Sequence, residues 1–333
     1  MALLVSLLAG TGALTACSSS GSSSEDSFDP ELTDKELLGV YLENALYYYE
    51  LGEYDRCEDQ ARRALEIDPK NEHFLLIYGR CRVRRGTAAD IQAAIDIFEQ
   101  HPNPDDFRVQ ESWGTAVERK GKFYEEASIG VRDGSRPTDA PDRGARADEL
   151  LEEAHGFWRD AEAHYSRALV LRSGSPEALG GLVRTSALLG EFEQSIEHAR
   201  DLIDSIKSSQ RLVANQLEDD EISADRESSL FKDKRENRRF EIKARLHIAT
   251  LLRQLGRLNE AVDEFDEIIY LEPEFAEAYS LKSQLLFDLG EYMKARTAIT
   301  KFIELKARTA EFEDPAIRRA YDLQDRCNRA IGS

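Results

Sequence analysis

Cysteine is sparse in this 333-residue chain: only Cys17, Cys57, Cys81 and Cys327 occur. That is no disulfide framework, and free buried thiols are the expectation for the last three. The six histidines, His73, His101, His155, His164, His198 and His247, are dispersed, with no His-x-x-x-His or Cys-x-x-Cys spacing, so neither a metal nor a cofactor is expected. Catalytic signatures are missing as well. No Gly-x-Ser-x-Gly, phosphate loop, zinc-binding helix or dinucleotide fingerprint is found, and an enzyme is not expected. Cations are outnumbered, with 44 Lys and Arg against 64 Asp and Glu and a net charge of −20. Such a surface repels nucleic-acid phosphates and disfavours lying flat on anionic lipid. Beyond the first residues, no apolar run approaches the roughly 20 residues that a membrane span requires.

What the chain does have is a glycine at near-constant spacing: Gly52, Gly86, Gly121, Gly156, Gly190, Gly256 and Gly290. Self-similarity at a period near 34 residues is the mark of a helical repeat array. Gln254-Leu255-Gly256-Arg257-Leu258 and Asp288-Leu289-Gly290-Glu291-Tyr292 show the unit best, and Glu50-Leu51-Gly52-Glu53-Tyr54 and Leu188-Leu189-Gly190-Glu191-Phe192 repeat it. Each glycine follows apolar residues three and four apart, so a helix arrives there. Positive φ at the helix end lets the chain reverse, and an aromatic or leucine two residues later opens a second helix. Ala261 with Phe265, and Ala161 with Tyr165, pair a small residue with a large one where two helices meet. Pro69, Pro273 and Pro176 end or follow second helices.

These residues resemble the tetratricopeptide repeat family. Ile248-Ala249, Leu252, Gly256, Ala261, Phe265 and Pro273 form the strongest unit; Tyr41, Ala45, Tyr48, Gly52, Tyr54, Ala64 and Pro69 form another, and Trp113-Gly114, Val117 and Gly121 match a helix-to-turn half. The resemblance covers most of residues 36 to 305. It implies an all-α fold, a right-handed superhelical solenoid of antiparallel helix pairs. The array is expected over residues 31–313, and an amphipathic capping helix over 314–333.

Two stretches break the rhythm. Residues 122–145 are rich in Gly, Pro, Asp, Arg and Ser and are expected to form an inserted surface loop. Gly156 is then either a turn glycine or one inside a long returning helix. Residues 206–241 lack a glycine near position 224, and a longer charged helical hairpin turning near Asp219-Asp220-Glu221 is expected there.

Residues 2–16 carry no charge and are mostly apolar or small, as in a secretory signal, so residues 1–16 are expected to be a signal peptide. Leu14-Thr15-Ala16-Cys17 resembles the bacterial lipobox, which implies acylation of Cys17, although no Lys or Arg precedes the apolar run. Two or three acyl chains hold a protein stably on a bilayer. Ser18 after the cysteine implies the outer membrane, facing the periplasm. Residues 17–30 then form the lipidated cysteine and a Ser-rich tether.

In the resembled family the first helix of each unit lines a concave groove that binds peptides. Carried over by register, the groove residues are Leu42, Leu46, Tyr49 and Glu50; His73, Leu76, Arg80 and Arg84; Arg108, Glu111, Thr115 and Arg119; then Arg184, Lys243, Leu246, Arg253, Gln284 and Phe287. Of Tyr47-Tyr48-Tyr49, neighbours 100° apart on a helix, at least one reaches the groove or the outer surface. Arg80 and Arg84 share a helix face, and Arg82 and Arg85 complete a basic cluster that either clamps an acidic peptide or compensates Glu50, Glu53 and Asp55. A second cluster, Lys232, Lys234, Arg235, Arg238, Arg239, Lys243 and Arg245, is set against Glu218, Asp219, Asp220 and Glu221, with structural pairing expected.

The expected function is a lipid-anchored, non-enzymatic adaptor in the bacterial envelope that holds other envelope proteins or peptides. One alternative is a glycan- or lipid-binding protein acting through the basic hairpin. Another is an enzyme with its site in residues 122–145.

Overall fold

The computed structural model describes residues 33–217, 224–308 and 314–332, and these form helices joined by short turns. The expected acyl site at Cys17, the signal and the tether lie outside the described residues, as does the turn near Asp219-Asp220-Glu221. The helices are α1 (Asp34–Glu50), α2 (Tyr54–Ile67), α3 (Glu72–Arg85), α4 (Ala88–Glu99), α5 (Phe107–Asp133), α6 (Arg143–Leu171) and α7 (Pro176–Leu188). There follow α8 (Phe192–Leu217), α9 (Ala224–Gln254), α10 (Leu258–Leu271), α11 (Ala276–Asp288), α12 (Tyr292–Lys306) and α13 (Pro315–Gly332). Each helix packs on the next to build a tetratricopeptide-like solenoid, and α13 closes it by lying on α12 and α11.

Local chemistry sets the boundaries. Thr33 and Glu36 make a capping box at α1, and Asn71, Thr87, Asp106, Asp142 and Ser175 cap α3 to α7 through their side chains. Gly52, Gly86, Gly190, Gly256 and Gly290 have φ between 74° and 79°, the left-handed geometry that reverses the chain.

Gly121 and Gly156 have another role, and here the expectation of a surface loop fails. Residues 122–133 continue α5, and the chain leaves the helices only between Gly134, at φ 85°, and Asp142. The extra turns are held by their own apolar patch, in which Tyr124, Ala127 and Val131 meet Ala147 and Leu150. Burial of that patch outweighs the local turn composition. Gly121 therefore sits inside a helix, where a Cβ would fall 2.6 Å from Trp158 Cδ1. Gly156 also lies within a helix, with open space around it. Further along, α8 runs to Leu217 and α9 starts at Ala224.

The core runs along the array as a series of contacts between units. Cys57, Ala61, Ala64, Phe74, Ile77 and Cys81 form one patch between α2 and α3. Within it Cys57 and Cys81 are joined as a disulfide, with Cα atoms 6.4 Å apart. Free thiols at these positions were the expectation; two fully buried side chains pointing at each other from facing helices overturn it. Cys327 is a free buried thiol in the patch beneath α13.

Candidate partner-binding groove

The first helices of the first four units touch in series: α1 on α3, α3 on α5, and α5 on α7. Polar side chains bridge every step. Between α1 and α3, Arg84 donates from Nε to the Tyr49 hydroxyl at 3.0 Å and lies 5.8 Å over its ring. That hydrogen bond, with the neighbouring Tyr49 and Tyr54 oxygens, raises the Arg84 pKa against the opposing effect of burial. Between α3 and α5, Arg80 donates to Ser112 Oγ at 3.0 Å, and Arg119 donates to the Val83 carbonyl at 2.6 Å.

Between α5 and α7 the bridge is a buried carboxylate. Glu118 accepts from Arg184 Nη2 at 3.0 Å, Tyr165 Oη at 2.9 Å and Lys122 Nζ at 3.2 Å. Burial pushes the Glu118 carboxyl up; the Arg184 and Lys122 charges and the Tyr165 hydrogen bond outweigh it and hold the group below the usual carboxylate range. Burial, aided by Glu118, drives the Tyr165 phenol upward, so it stays a donor. Glu111 is likewise buried and accepts from Ser175 at the start of α7; burial raises its pKa. His164, lowered by burial, stacks on Trp113 at 4.3 Å and hydrogen-bonds Gln110 through Nδ1 at 2.8 Å.

The predicted groove residues divide accordingly. Arg80, Arg84, Thr115, Arg119 and Arg184 fall on this seam, joined by Glu118, which the register places one residue before Arg119. Arg184 keeps 46% of its side chain exposed although Glu118 holds it. Leu76 and Glu111 are buried instead: Leu76 packs against Ile91 and Phe98 of α4 and Val109 of α5, and Glu111 is held by Ser175 ahead of α7. Leu42 is half-buried against the first core patch, while Leu46 and Glu50 are exposed. Arg108 is tied to Asp106 at the start of α5 and stacks 5.9 Å from the Phe107 ring. Of the three tyrosines, Tyr47 is exposed, whereas Tyr48 and Tyr49 pack on the core.

Farther along, Lys243 and Arg253 are exposed. Gln284 and Phe287 line a cavity of about 620 Å³ that α13 roofs with Arg319 and Arg326; the Arg326 guanidinium lies 4.3 Å over Phe287. The cluster around Arg82 is largely self-compensated. Arg82 and Arg85 hold Glu58 and Asp90, and Arg85 reaches Asp55, which leaves Arg80 and Arg84 without a carboxylate partner among the described residues. Arg245 pairs with Glu241, Glu264 and Glu267, and the acidic residues expected opposite this cluster, Glu218 to Glu221, lie outside the described residues.

Tetratricopeptide repeat models match residues 38–71, 150–209 and 246–308, covering most of α1–α2, α6–α8 and α10–α12. The chain is a tetratricopeptide repeat protein. Repeats of this kind act generally as scaffolds that bind other proteins. Among curated proteins none matches the chain. Among solved structures, a thermophilic tetratricopeptide protein of Thermus thermophilus is 17% identical, covering 75% of this chain and 99% of that one at a TM-score of 0.45. The MamA protein is 14% identical, covering 84% and 100% at 0.36, and Pseudomonas aeruginosa pilF is 13% identical, covering 90% and 86% at 0.38. Between these matches lie two unmatched stretches, 72–149, with α3 to α5 and the start of α6, and 210–245, with the end of α8 and most of α9. Among the described residues no group of three His, Cys, Asp or Glu converges, and no helix is long and apolar enough to cross a membrane.

Proposed function

We propose that this protein is a non-enzymatic adaptor of the bacterial envelope, anchored by acyl chains on Cys17, that holds partner proteins or peptides along the seam of its first helices. The observation that carries the reading is that seam: Tyr49, Arg84, Arg80, Arg119 and Arg184 form one line across four units, and their fixed hydrogen bonds preorganise it. Arginine and tyrosine anchors are the residue types that concentrate binding energy at interfaces. In a chain of net charge −20, this strip favours an acidic or carboxylate-bearing segment.

Among the described residues, the closest approach to catalytic geometry is Ser195 with His247, whose Oγ and Nε2 are 2.9 Å apart. The Ser195 hydroxyl is fully buried and donates to the Val183 carbonyl at 2.7 Å, so His247 cannot take its proton and no substrate reaches it. The Cys57–Cys81 disulfide suits an oxidising compartment and so favours the envelope over the cytosol.

A photo-crosslinking residue at Tyr49 or Arg84 in intact cells is expected to capture a protein. The same residue at Tyr270, 82% exposed on the second helix of its unit, is expected to capture none. Equal capture at all three positions, or none at any, would remove the groove assignment. Cys17→Ser is expected to release the protein from membranes, and continued tight attachment would end the lipid-anchor reading.

A further inference from the structure

The long hairpin of α8 and α9 carries two opposed charge stripes that the groove does not use. On α9, Lys232, Arg235, Arg239 and Lys243 are exposed at intervals of three, four and four residues, so they share a face, with Arg238 beside them. None has an ion-pair partner among the described residues, and the sole charged contact is Lys243 Nζ, 5.8 Å from the Phe240 ring. Phe231 and Phe240, 48% and 53% exposed, flank the stripe. On α8, Glu193, Glu197, Asp201 and Asp204 are exposed at intervals of four, four and three. Glu193 is held by Arg257; the other three have no ion-pair partner among the described residues.

Read in opposite chain directions, the two spacings coincide. Glu193, Glu197, Asp201 and Asp204 meet Lys243, Arg239, Arg235 and Lys232 in turn, with about 6, 6 and 4.5 Å along the helix axis between successive pairs. Inside one molecule this pairing does not form: among the described residues no ion pair joins the two stripes, and Glu193 turns to Arg257. We infer that the occupant of the α9 stripe is the α8 stripe of a second copy of this chain. Lipid fits the surface less well: the centre of the α9 face is cationic and its aromatics lie at the margins, whereas a membrane-inserting helix places apolar groups at the centre. Because unlike stripes pair, the contact either closes as a two-fold dimer, each copy's α8 stripe on the other's α9 stripe, or runs head-to-tail with one stripe free at each end. Exposed ion pairs are individually weak, so the association is salt-sensitive and builds with concentration.

Sedimentation velocity of the full chain at low ionic strength is expected to show a weight-average mass that rises with concentration and falls back when salt is added. Arg235→Glu with Arg239→Glu, and separately Glu197→Lys with Asp201→Lys, are each expected to weaken association about tenfold or more. Both sets lie on exposed helix faces, and circular dichroism of each variant reports its fold. Mixing the two variants is expected to restore association, because the reversed stripes complement each other. A wild-type chain that stays monomeric throughout, association that survives both reversals, or a mixture that fails to reassemble would overturn the inference. So would binding of vesicles rich in anionic lipid, lost in Arg235→Glu/Arg239→Glu, by a chain that remains monomeric. None of these outcomes depends on the groove, which crosslinking at Tyr49 and Arg84 tests separately.

Discussion

Gly121 and Gly156 both fall on the glycine rhythm and both lie inside helices, yet the same substitution should move stability in opposite directions. Alanine at either site gains about 1 kcal/mol of helix propensity. At Gly156 nothing lies within 4 Å of the added Cβ, so the gain stands and Gly156→Ala should stabilise by about 0.5–1 kcal/mol. At Gly121 the methyl would sit 2.6 Å from Trp158 Cδ1, nearer still to Nε1, and 3.1 Å from the Ala154 carbonyl oxygen. A comfortable carbon contact needs about 3.5–4.0 Å, so the Trp158 ring must retreat by roughly 1 Å. Trp158 is 1% exposed, so its ring must retreat into the packed interior. Overpacking of this severity costs about 3 kcal/mol, leaving a net loss of about 2 kcal/mol for Gly121→Ala. The two variants should differ by nearly 3 kcal/mol, or several degrees in Tm by calorimetry. If Gly121→Ala were as stable as Gly156→Ala, the close approach of α5 to α6 at Trp158 would be wrong.

Three further outcomes follow from the contacts. Reducing Cys57–Cys81, separated by 24 residues, should cost about 3 kcal/mol by loop-closure entropy, read as a lower denaturation midpoint with reductant; alkylation of the unfolded, unreduced chain should modify Cys327 and leave both untouched. Arg184→Ala removes the main charge partner of buried Glu118 and should cost about 2–3 kcal/mol while raising the Glu118 pKa, measurable by carboxyl NMR titration; an unchanged pKa would refute the pairing. His164 and His247 are both lowered below the ordinary 6.5, by burial at each and also by the Arg184 charge at His247, so the folded chain binds fewer protons than the unfolded one. Their contribution is present above pH 6.5 and is lost as pH falls below it, and His164→Gln with His247→Gln should flatten that part of the Tm profile.

Much of the fold was legible because each turn is written locally. A glycine after an apolar run, and an aromatic or leucine two residues on, need no distant partner to be read. The lengthened α5–α6 hairpin escaped because its periodicity is carried by modest residues. Tyr124, Ala127, Ser128 and Val131 do recur at helical spacing, but small side chains and Gly130 leave a weak apolar signal beside an obvious Gly-Ser-Arg-Pro turn. Gly121 misled for the opposite reason: close helix approach and chain reversal both call for glycine, and only the partner, Trp158, distinguishes them. At the candidate groove, register puts Arg80, Arg84 and Arg184 on first helices, and they lie on α3 and α7. It could not say that Glu111 and Leu76 would be covered by the next unit, since that depends on how tightly successive first helices stack. The Cys57–Cys81 bond is likewise a property of two faces meeting, which no spacing in a single chain reports.

Tyr165 has a mechanical consequence. Its ring sits where a Cβ on Gly181 would lie 2.5 Å away and one on Gly114 3.0 Å away, so α5 and α7 close on it as two jaws without padding. Its hydroxyl is pinned to Glu118 at the same point. The joint between the third and fourth units thus has neither slack to compress nor a soft side chain to shear. Beyond it α9 packs on α8 and α10 and shares a core patch with Leu179 and Val183 of α7. Under load the joint at Tyr165 should therefore be the part of the array that changes its pitch least.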